Sequence, residues 1–139
     1  MSDRPSAVAI QDLVFGYHPG REVLRLADLT IATGERVFLH GPSGSGKTTL
    51  LGLTAGVLNP MSGRVSILGQ DLAGLHPSHR DAFRGSHIGY LFQLFNLIPY
   101  LSVLENIALP CRLHALRREW LRGAPIEQEA RRLAARLEL

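Results

Sequence analysis

"GPSGSGKTT", residues 41–49, is the stretch that decides the fold of this 139-residue chain. It matches the pattern G-x-x-x-x-G-K-[ST], with Gly41, Gly46, Lys47 and Thr48 in the fixed positions. Glycines let the backbone turn so that its N–H groups approach an anion. The lysine supplies a compact positive charge for the β- and γ-phosphates, and the threonine hydroxyl can bind Mg²⁺. The stretch therefore predicts a phosphate-binding loop.

The segments on either side of the loop support this prediction. "ERVFLH", residues 35–40, predicts a strand that enters the loop. "GKTTLLGLTAGVLNP" predicts a helix that follows the loop and ends at Asn59-Pro60. A phosphate at the N-terminus of that helix would meet free N–H groups and the positive end of the helix dipole.

Further elements follow along the chain. Strands are predicted over residues 7–17, 26–34, 64–68 and 87–93, with a helical turn at 76–85. A helix is predicted to start at Ser102, where Glu105 three residues later completes a capping box. The last helix is predicted to have Pro125 in its first turn and one apolar face, formed by Ile126, Ala130, Leu133, Ala134 and Leu137. This order of strands and helices predicts an α/β fold with additional β-structure.

Composition and charge narrow the class of partner. The chain is long enough for one domain, its net charge is +3, and its apolar runs are too short to cross a membrane. Residues 1–111 carry eight basic and eight acidic side chains, whereas residues 112–139 carry seven arginines and four glutamates. Glu127 and Arg131 have the i, i+4 spacing of a solvated helix face. Because the chain lacks the mixture of aromatic and basic residues that stacks bases, we expect no nucleic-acid partner.

Three features outside the loop distinguish among phosphate-binding families. Tyr17, in "FGYHPG", lies 30 residues before Lys47. Gln93, in "YLFQLFNLIPYLSVLENIALP", lies 46 residues after it, and Glu105 and Asn106 follow in "LENIALP". Together with the loop, these residues resemble the ATP-binding subunit of ABC transporters. The resemblance is strongest to the subfamily that works with lipoprotein-release and macrolide-export permeases, and it runs from about residue 7 to the last residue.

The resemblance implies a role for each matching residue. Tyr17 would stack on adenine, for which its flat and stiff ring is suited. The residues that would bind the triphosphate are Gly41, Pro42, Ser43, Gly44, Ser45, Gly46, Lys47, Thr48 and Thr49. Lys47 and Gln93 would act in catalysis, and Thr48 and Gln93 would hold the metal. The implied cofactors are ATP and Mg²⁺.

The resemblance also implies a fold and an assembly. The fold is an α/β P-loop NTPase of the ABC type, with an N-terminal antiparallel β subdomain followed by a helical subdomain. The segment after Gln93, "LFNLIPYL", would form part of the groove that receives the permease. A second copy of the subunit would complete the ATP site. Such a subunit is a peripheral protein at the cytoplasmic face of the inner membrane, and it powers export or extraction of a substrate.

Some family motifs do not occur in these 139 residues. The L-S-G-G-Q motif, the strand that ends in Asp-Glu and the later histidine are all absent. We therefore expect residues 1–139 to be a partial ATP-binding domain, truncated within the helical subdomain and inactive in hydrolysis on its own. Without neighbouring strands, "ERVFLH" and "HIGYLFQ" would have unpaired backbone groups and exposed apolar faces.

Two alternatives remain open from the residues alone. One is another class of P-loop NTPase, since "DLAG", residues 71–74, matches the D-x-x-G of a GTPase. Against it, none of Asn59, Asn96 and Asn106 is followed by the lysine of a guanine-binding N-K-x-D motif. The other is a nucleotide-binding remnant or regulatory module that kept the loop without catalysis.

Overall fold

The computed structural model describes residues 5–92 and 96–138. The chain divides into two compact units, with the boundary between Arg80 and Asp81. In the described part of the chain, no helix has the length and apolar character needed to cross a membrane.

The first unit is built on a four-stranded antiparallel sheet. Its strands are β1 (Ser6–Phe15), β2 (Leu24–Ala32), β3 (Ser62–Ile67) and β4 (Gln70–Asp71), in the spatial order β2-β1-β3-β4. Every pairing in this sheet is antiparallel. The prediction of an N-terminal antiparallel β subdomain is therefore confirmed, and three of the five predicted strands start and end within two residues of the observed bounds.

A bulge in β1 determines which of its side chains face the core. Ile10 and Leu13 are both fully buried although they lie three residues apart, where regular alternation would put them on opposite faces. Asp12, between them, has φ 47°, and the register with β3 shifts between Gln11 and Val14. The extra residue turns Leu13 and then Phe15 inward. Other buried apolar side chains of this unit are Leu53, Val65, Ile67 and Leu72.

The helix after the loop, α1, spans Lys47–Thr54. It is shorter than predicted, because the chain turns before Asn59. The N–H groups of Val57 and Leu58 both donate to the Gly52 carbonyl, at 2.9 and 3.1 Å. These bonds replace the next helical turn.

Two predicted strands, at residues 35–40 and 87–93, do not form in the part of the chain that the structure describes, which ends at residue 92 in the second of them. Residues 35–40 and 88–92 have no regular secondary structure, and residue 87 is the last residue of a helix. A strand needs a neighbour for its N–H and C=O groups, and the described sheet provides no partner for these segments. Their apolar side chains are exposed as expected for unpaired segments: Phe38 is 87% and Leu91 98% exposed.

Helices make up the second unit. Helix α2 (Pro77–His87) crosses the boundary between the units and is longer than the predicted turn. It is followed by α3 (Val103–Leu113), α4 (Ala115–Glu119) and α5 (Ile126–Arg136). The predicted start of α3 is confirmed: Ser102 is its N-cap, and the capping box with Glu105 is formed.

Helices α3 and α5 pack against each other through small side chains. Ala108 on α3 and Ala130 and Ala134 on α5 are buried. The predicted apolar face of α5 is only partly buried, since Leu137 is 67% exposed. Pro125 lies at the N-cap, just before the helix. Its ring fixes φ without requiring an N–H donor, which suits the entry to a helix.

Candidate functional site

The loop at residues 41–49 presents its backbone N–H groups at the start of α1. Gly46 is the N-cap and has φ 86°, a conformation that favours glycine. Within residues 5–92 and 96–138, the N–H groups of Gly44, Gly46, Lys47 and Thr48 donate to no backbone or side-chain acceptor. The first N–H groups of a helix have no intrahelical partner and attract anions. The loop therefore has the donors that a phosphate group needs.

The Lys47 side chain folds back across this loop. Its Nζ donates to the carbonyl oxygens of Gly41 and Pro42 at 2.7 and 2.6 Å, and lies 3.4 Å from the Ser45 hydroxyl. All three acceptors are uncharged. The ion pairs of the described residues do not include Lys47. The positive charge is thus held at the loop by neutral groups, and a phosphate would supply its counter-charge.

A cavity of about 270 Å³ adjoins the loop. Its lining includes the loop residues Gly41 and Lys47 and the apolar residues Leu24, Leu39 and Leu50. Apolar walls with a few convergent polar groups are typical of small-molecule sites.

The structure brings Tyr17 to the same loop. Its hydroxyl lies 3.0 Å from the Thr49 hydroxyl, although the two residues are 32 apart in sequence. Its ring packs against the ring of Phe15 in a T-shaped arrangement, with centroids 5.0 Å apart and planes at 84°. Tyr17 is 59% exposed. The ring is therefore beside the phosphate-binding loop and accessible to a ligand, and its stacking on adenine stays a prediction.

The position of Tyr17 depends on Gly16, which is not among the site residues predicted from the sequence. A Cβ at residue 16 would lie 2.0 Å from the Arg21 carbonyl oxygen, so no other residue fits this backbone. The two sides of the connection between β1 and β2 approach closely here, since the Val23 N–H donates to the Phe15 carbonyl at 2.7 Å. The glycine inside the strand-like run "VFGY" is the signal that predicts such a close approach.

The structure describes only one of the two predicted metal ligands. Thr48 is exposed in the first turn of α1, where its hydroxyl is one oxygen donor. Gln93 lies outside the described residues. In the ranges that are described, no group of three or more His, Cys, Asp or Glu residues could hold a metal ion. The single hydroxyl oxygen of Thr48 suits Mg²⁺, which commonly takes one or two protein oxygens and completes its shell with phosphates and water.

In the second unit, Asn106 organises the backbone of the segment that follows Gln93. Its Oδ1 accepts from the Ile98 N–H at 2.8 Å, and its Nδ2 donates to the carbonyls of Ile98, Leu101 and Ser102 at 3.2, 3.0 and 3.0 Å. The motif "LENIALP" does not by itself predict this role for Asn106. Its amide satisfies the backbone of a loop that has no secondary structure to do so.

Comparisons with known proteins agree with these features. The family model described as ABC transporter matches residues 24–139. The lipoprotein-releasing system ATP-binding protein LolD of Chromohalobacter salexigens is 42% identical over 97 residues, covering 70% of this chain and 41% of the relative. The macrolide export ATP-binding/permease protein MacB of Syntrophobacter fumaroxidans is 41% identical over 106 residues, covering 74% of this chain and 15% of the relative.

A solved structure extends the likeness to the fold. The dimeric ATP-binding cassette MJ0796, in a post-hydrolysis state bound to ADP and Pi, superposes with a TM-score of 0.80 at 32% identity. The match covers 95% of this chain and 57% of the cassette. The chain spans less than half the length of the curated relatives it matches.

Proposed function

This chain belongs to the ABC transporter family of ATP-binding domains, and from that premise we propose that it is the nucleotide-binding part of an ATPase subunit that powers transport through a partner permease. The observation that carries the proposal is the Lys47 charge, held over a loop whose N–H groups are free for an anion. Tyr17 adds an aromatic ring at the same loop.

Each residue has a defined part in holding the nucleotide. The backbone of Gly41–Thr49 and the Lys47 amine bind the phosphates, and the face of Tyr17 receives the adenine ring. Thr48 and Gln93 provide oxygens for Mg²⁺, and both Lys47 and Gln93 act at the transferred phosphate. When bound, Mg²⁺ neutralises charge on the β- and γ-phosphates. Because stacking is tolerant of the base, the selectivity of this site among purine nucleotides is loose.

The partners are proposed from the exposed surface and from the relatives. Leu97 and Tyr100, in the segment after Gln93, and Val103, at the start of α3, are 61%, 84% and 54% exposed, and a permease would dock at these apolar side chains. A second copy of the subunit would close the ATP site, in keeping with the dimer of MJ0796. Export or extraction of a substrate is proposed from the likeness to LolD, of a lipoprotein-releasing system, and to MacB, a macrolide export protein. The proposed location is the cytoplasmic face of the inner membrane.

Residues 1–139 form one partial ATP-binding domain in this proposal, with the regions for the L-S-G-G-Q motif, the Asp-Glu strand and the histidine lying outside it. The chain then contains the groups that bind ATP in its ground state but lacks a carboxylate base. Binding and transition-state stabilisation are separable, so a chain of this kind can bind ATP without turning it over.

Titration of a fluorescent ATP analogue into Lys47→Ala tests the proposal. Loss of a charge-assisted bond to phosphate costs about 1.5 to 3 kcal/mol, so the dissociation constant should rise by roughly 10- to 150-fold. Arg131→Ala is the matched control, since it removes the same charge from an exposed position on α5. Equal affinities of wild type and Lys47→Ala, with both proteins folded by circular dichroism, would refute the assignment.

A further inference from the structure

We propose that Thr49 is a positioning residue that fixes the Tyr17 ring against the phosphate-binding helix. One hydrogen bond, 3.0 Å between the two hydroxyl oxygens, would then join the base site to the phosphate site. This inference rests on the proposed function, because it concerns the geometry of the same nucleotide site.

The burial of Thr49 makes this bond specific. Thr49 is only 6% exposed and lies on α1, two residues after Lys47. A buried hydroxyl requires a hydrogen-bond partner, and in the described residues Thr49 finds it in Tyr17. Because Thr49 belongs to a helix whose start is set by the loop, the Tyr17 hydroxyl is tied to the rigid element that holds Lys47.

The ring of Tyr17 has a second contact. It packs at 84° to the ring of Phe15, which ends β1 and is itself 4% exposed. Gly16 allows the close approach of the Arg21 backbone directly before Tyr17. The ring is thus held by its backbone, by Phe15 and by its hydroxyl, while 59% of the residue remains exposed.

A ring held in this way is preorganised for a flat ligand. A side chain that is already ordered loses less conformational freedom on binding, so the ligand binds more tightly for the same contact. Stacking alone needs only the ring face, which phenylalanine also has. A phenylalanine at residue 17 would keep the face and lose the hydrogen bond to Thr49. Stacking alone therefore predicts unchanged ATP binding in Tyr17→Phe, whereas positioning by Thr49 predicts weaker binding.

Isothermal titration calorimetry on the 139-residue chain separates stacking alone from positioning by Thr49, with ATP and inorganic tripolyphosphate as the two ligands. Tyr17→Phe and Thr49→Val should each weaken ATP binding by about three- to tenfold, the scale of one neutral hydrogen bond. The double variant should be no weaker than the weaker single variant, because both substitutions remove the same bond. Thr49→Ser retains a hydroxyl and should bind ATP more tightly than Thr49→Val.

The base-free ligand shows whether the effect is on positioning. Tripolyphosphate has no ring to stack, so the ratio of ATP affinity to tripolyphosphate affinity should fall in Tyr17→Phe. The proposal is overturned if this ratio equals that of wild type, or if the two single effects multiply in the double variant. Lys47→Ala shows whether such a result contradicts only the positioning role or the nucleotide site itself. If it weakens both ligands while Tyr17→Phe changes neither, only the positioning role fails, and if it weakens neither, the nucleotide site itself is wrong.

Discussion

Lys47 is the chain's single lysine, so its amine is the one side-chain amine that an acylating reagent can modify. If this amine binds phosphate, ATP shields it. At an ATP concentration 100 times the dissociation constant, about 1% of the sites are free. We therefore predict that acetylation of Lys47 slows by up to about 100-fold under this condition. Peptide mass spectrometry measures it, with the N-terminal amine as internal reference, and equal rates with and without ATP would contradict the site.

A second prediction at the scale of single residues concerns Gly16. In Gly16→Ala the new methyl group meets the Arg21 carbonyl oxygen at 2.0 Å, and this neighbour is backbone that cannot rotate away. Overpacking of this kind costs about 1 to 3 kcal/mol. We expect a lower melting temperature and weaker ATP binding, since Tyr17 moves with the turn. Gly74→Ala is the control, because a Cβ at residue 74 would lie 4.0 Å from the Asp71 carbonyl oxygen, an ordinary contact distance. Equal melting temperatures for the two variants would show that the turn tolerates a side chain.

The site also shows what single residues can and cannot reveal in a sequence. The phosphate loop was predictable because its glycines, lysine and threonine are adjacent in the chain. The contact of Tyr17 with Thr49 was not, since it depends on the bulge at Asp12 that turns Phe15 inward and on a close backbone approach that only Gly16 permits. This hydrogen bond spans 32 residues and joins the segment after β1 to helix α1, and local periodicity does not specify such a tertiary contact.

At the scale of elements, the start of α3 gives a pH-dependent prediction. Hydrogen bonds from the Ser102 hydroxyl and then the Ser102 N–H hold the pKa of Glu105 below its ordinary value of 4.5. A carboxylate whose folded pKa is depressed stabilises the fold above its unfolded pKa, and this contribution is lost as pH falls through the folded value. The stability difference between wild type and Glu105→Gln should therefore be present at pH 6 and shrink below about pH 4.5.

Urea unfolding at several pH values, followed by the fluorescence of Trp120 in the same unit, measures this difference. Glu119→Gln is the matched control, because Glu119 is exposed at the end of α4 and belongs to no capping box. A difference for Glu105→Gln that stays constant from pH 6 to pH 3 would show that the capping box does not act through the carboxylate charge.

The capping box and the missing strands illustrate the two ways in which elements are specified. Ser102 and Glu105 lie three residues apart, so the box forms from local sequence and was predictable. The segments at 35–40 and 88–92 have the apolar character of buried strands, and yet they form none. A strand exists only with a partner, so its formation depends on residues elsewhere that composition does not reveal.

For the whole molecule, we predict that the 139-residue chain binds ATP but does not hydrolyse it. General-base catalysis is worth about 10² to 10⁴ in rate, and clamping of the transferred phosphoryl group contributes comparably. Without these groups the rate should be close to background. Phosphate release is measured with purified chain, and Lys47→Ala controls for contaminating ATPases. Lys47-dependent release on the order of 1 per second would contradict the prediction and direct the search for a base to Asp71 and Glu105.

The antiparallel sheet has a further consequence for how the protein is made. The four strands of this sheet lie between Ser6 and Asp71. Strand β1 pairs with β2 and β3, and β3 pairs with β4, so every partner strand has been synthesised once Asp71 is added to the chain. A ribosome adds about 5 to 20 residues per second, whereas a hairpin forms in about 1 to 10 μs. The sheet can therefore fold as soon as it leaves the exit tunnel, seconds before synthesis of the remaining helices ends. The frame that holds Tyr17 and the phosphate loop would then be in place on the nascent chain, and ATP in the cell would meet its binding site before translation is complete.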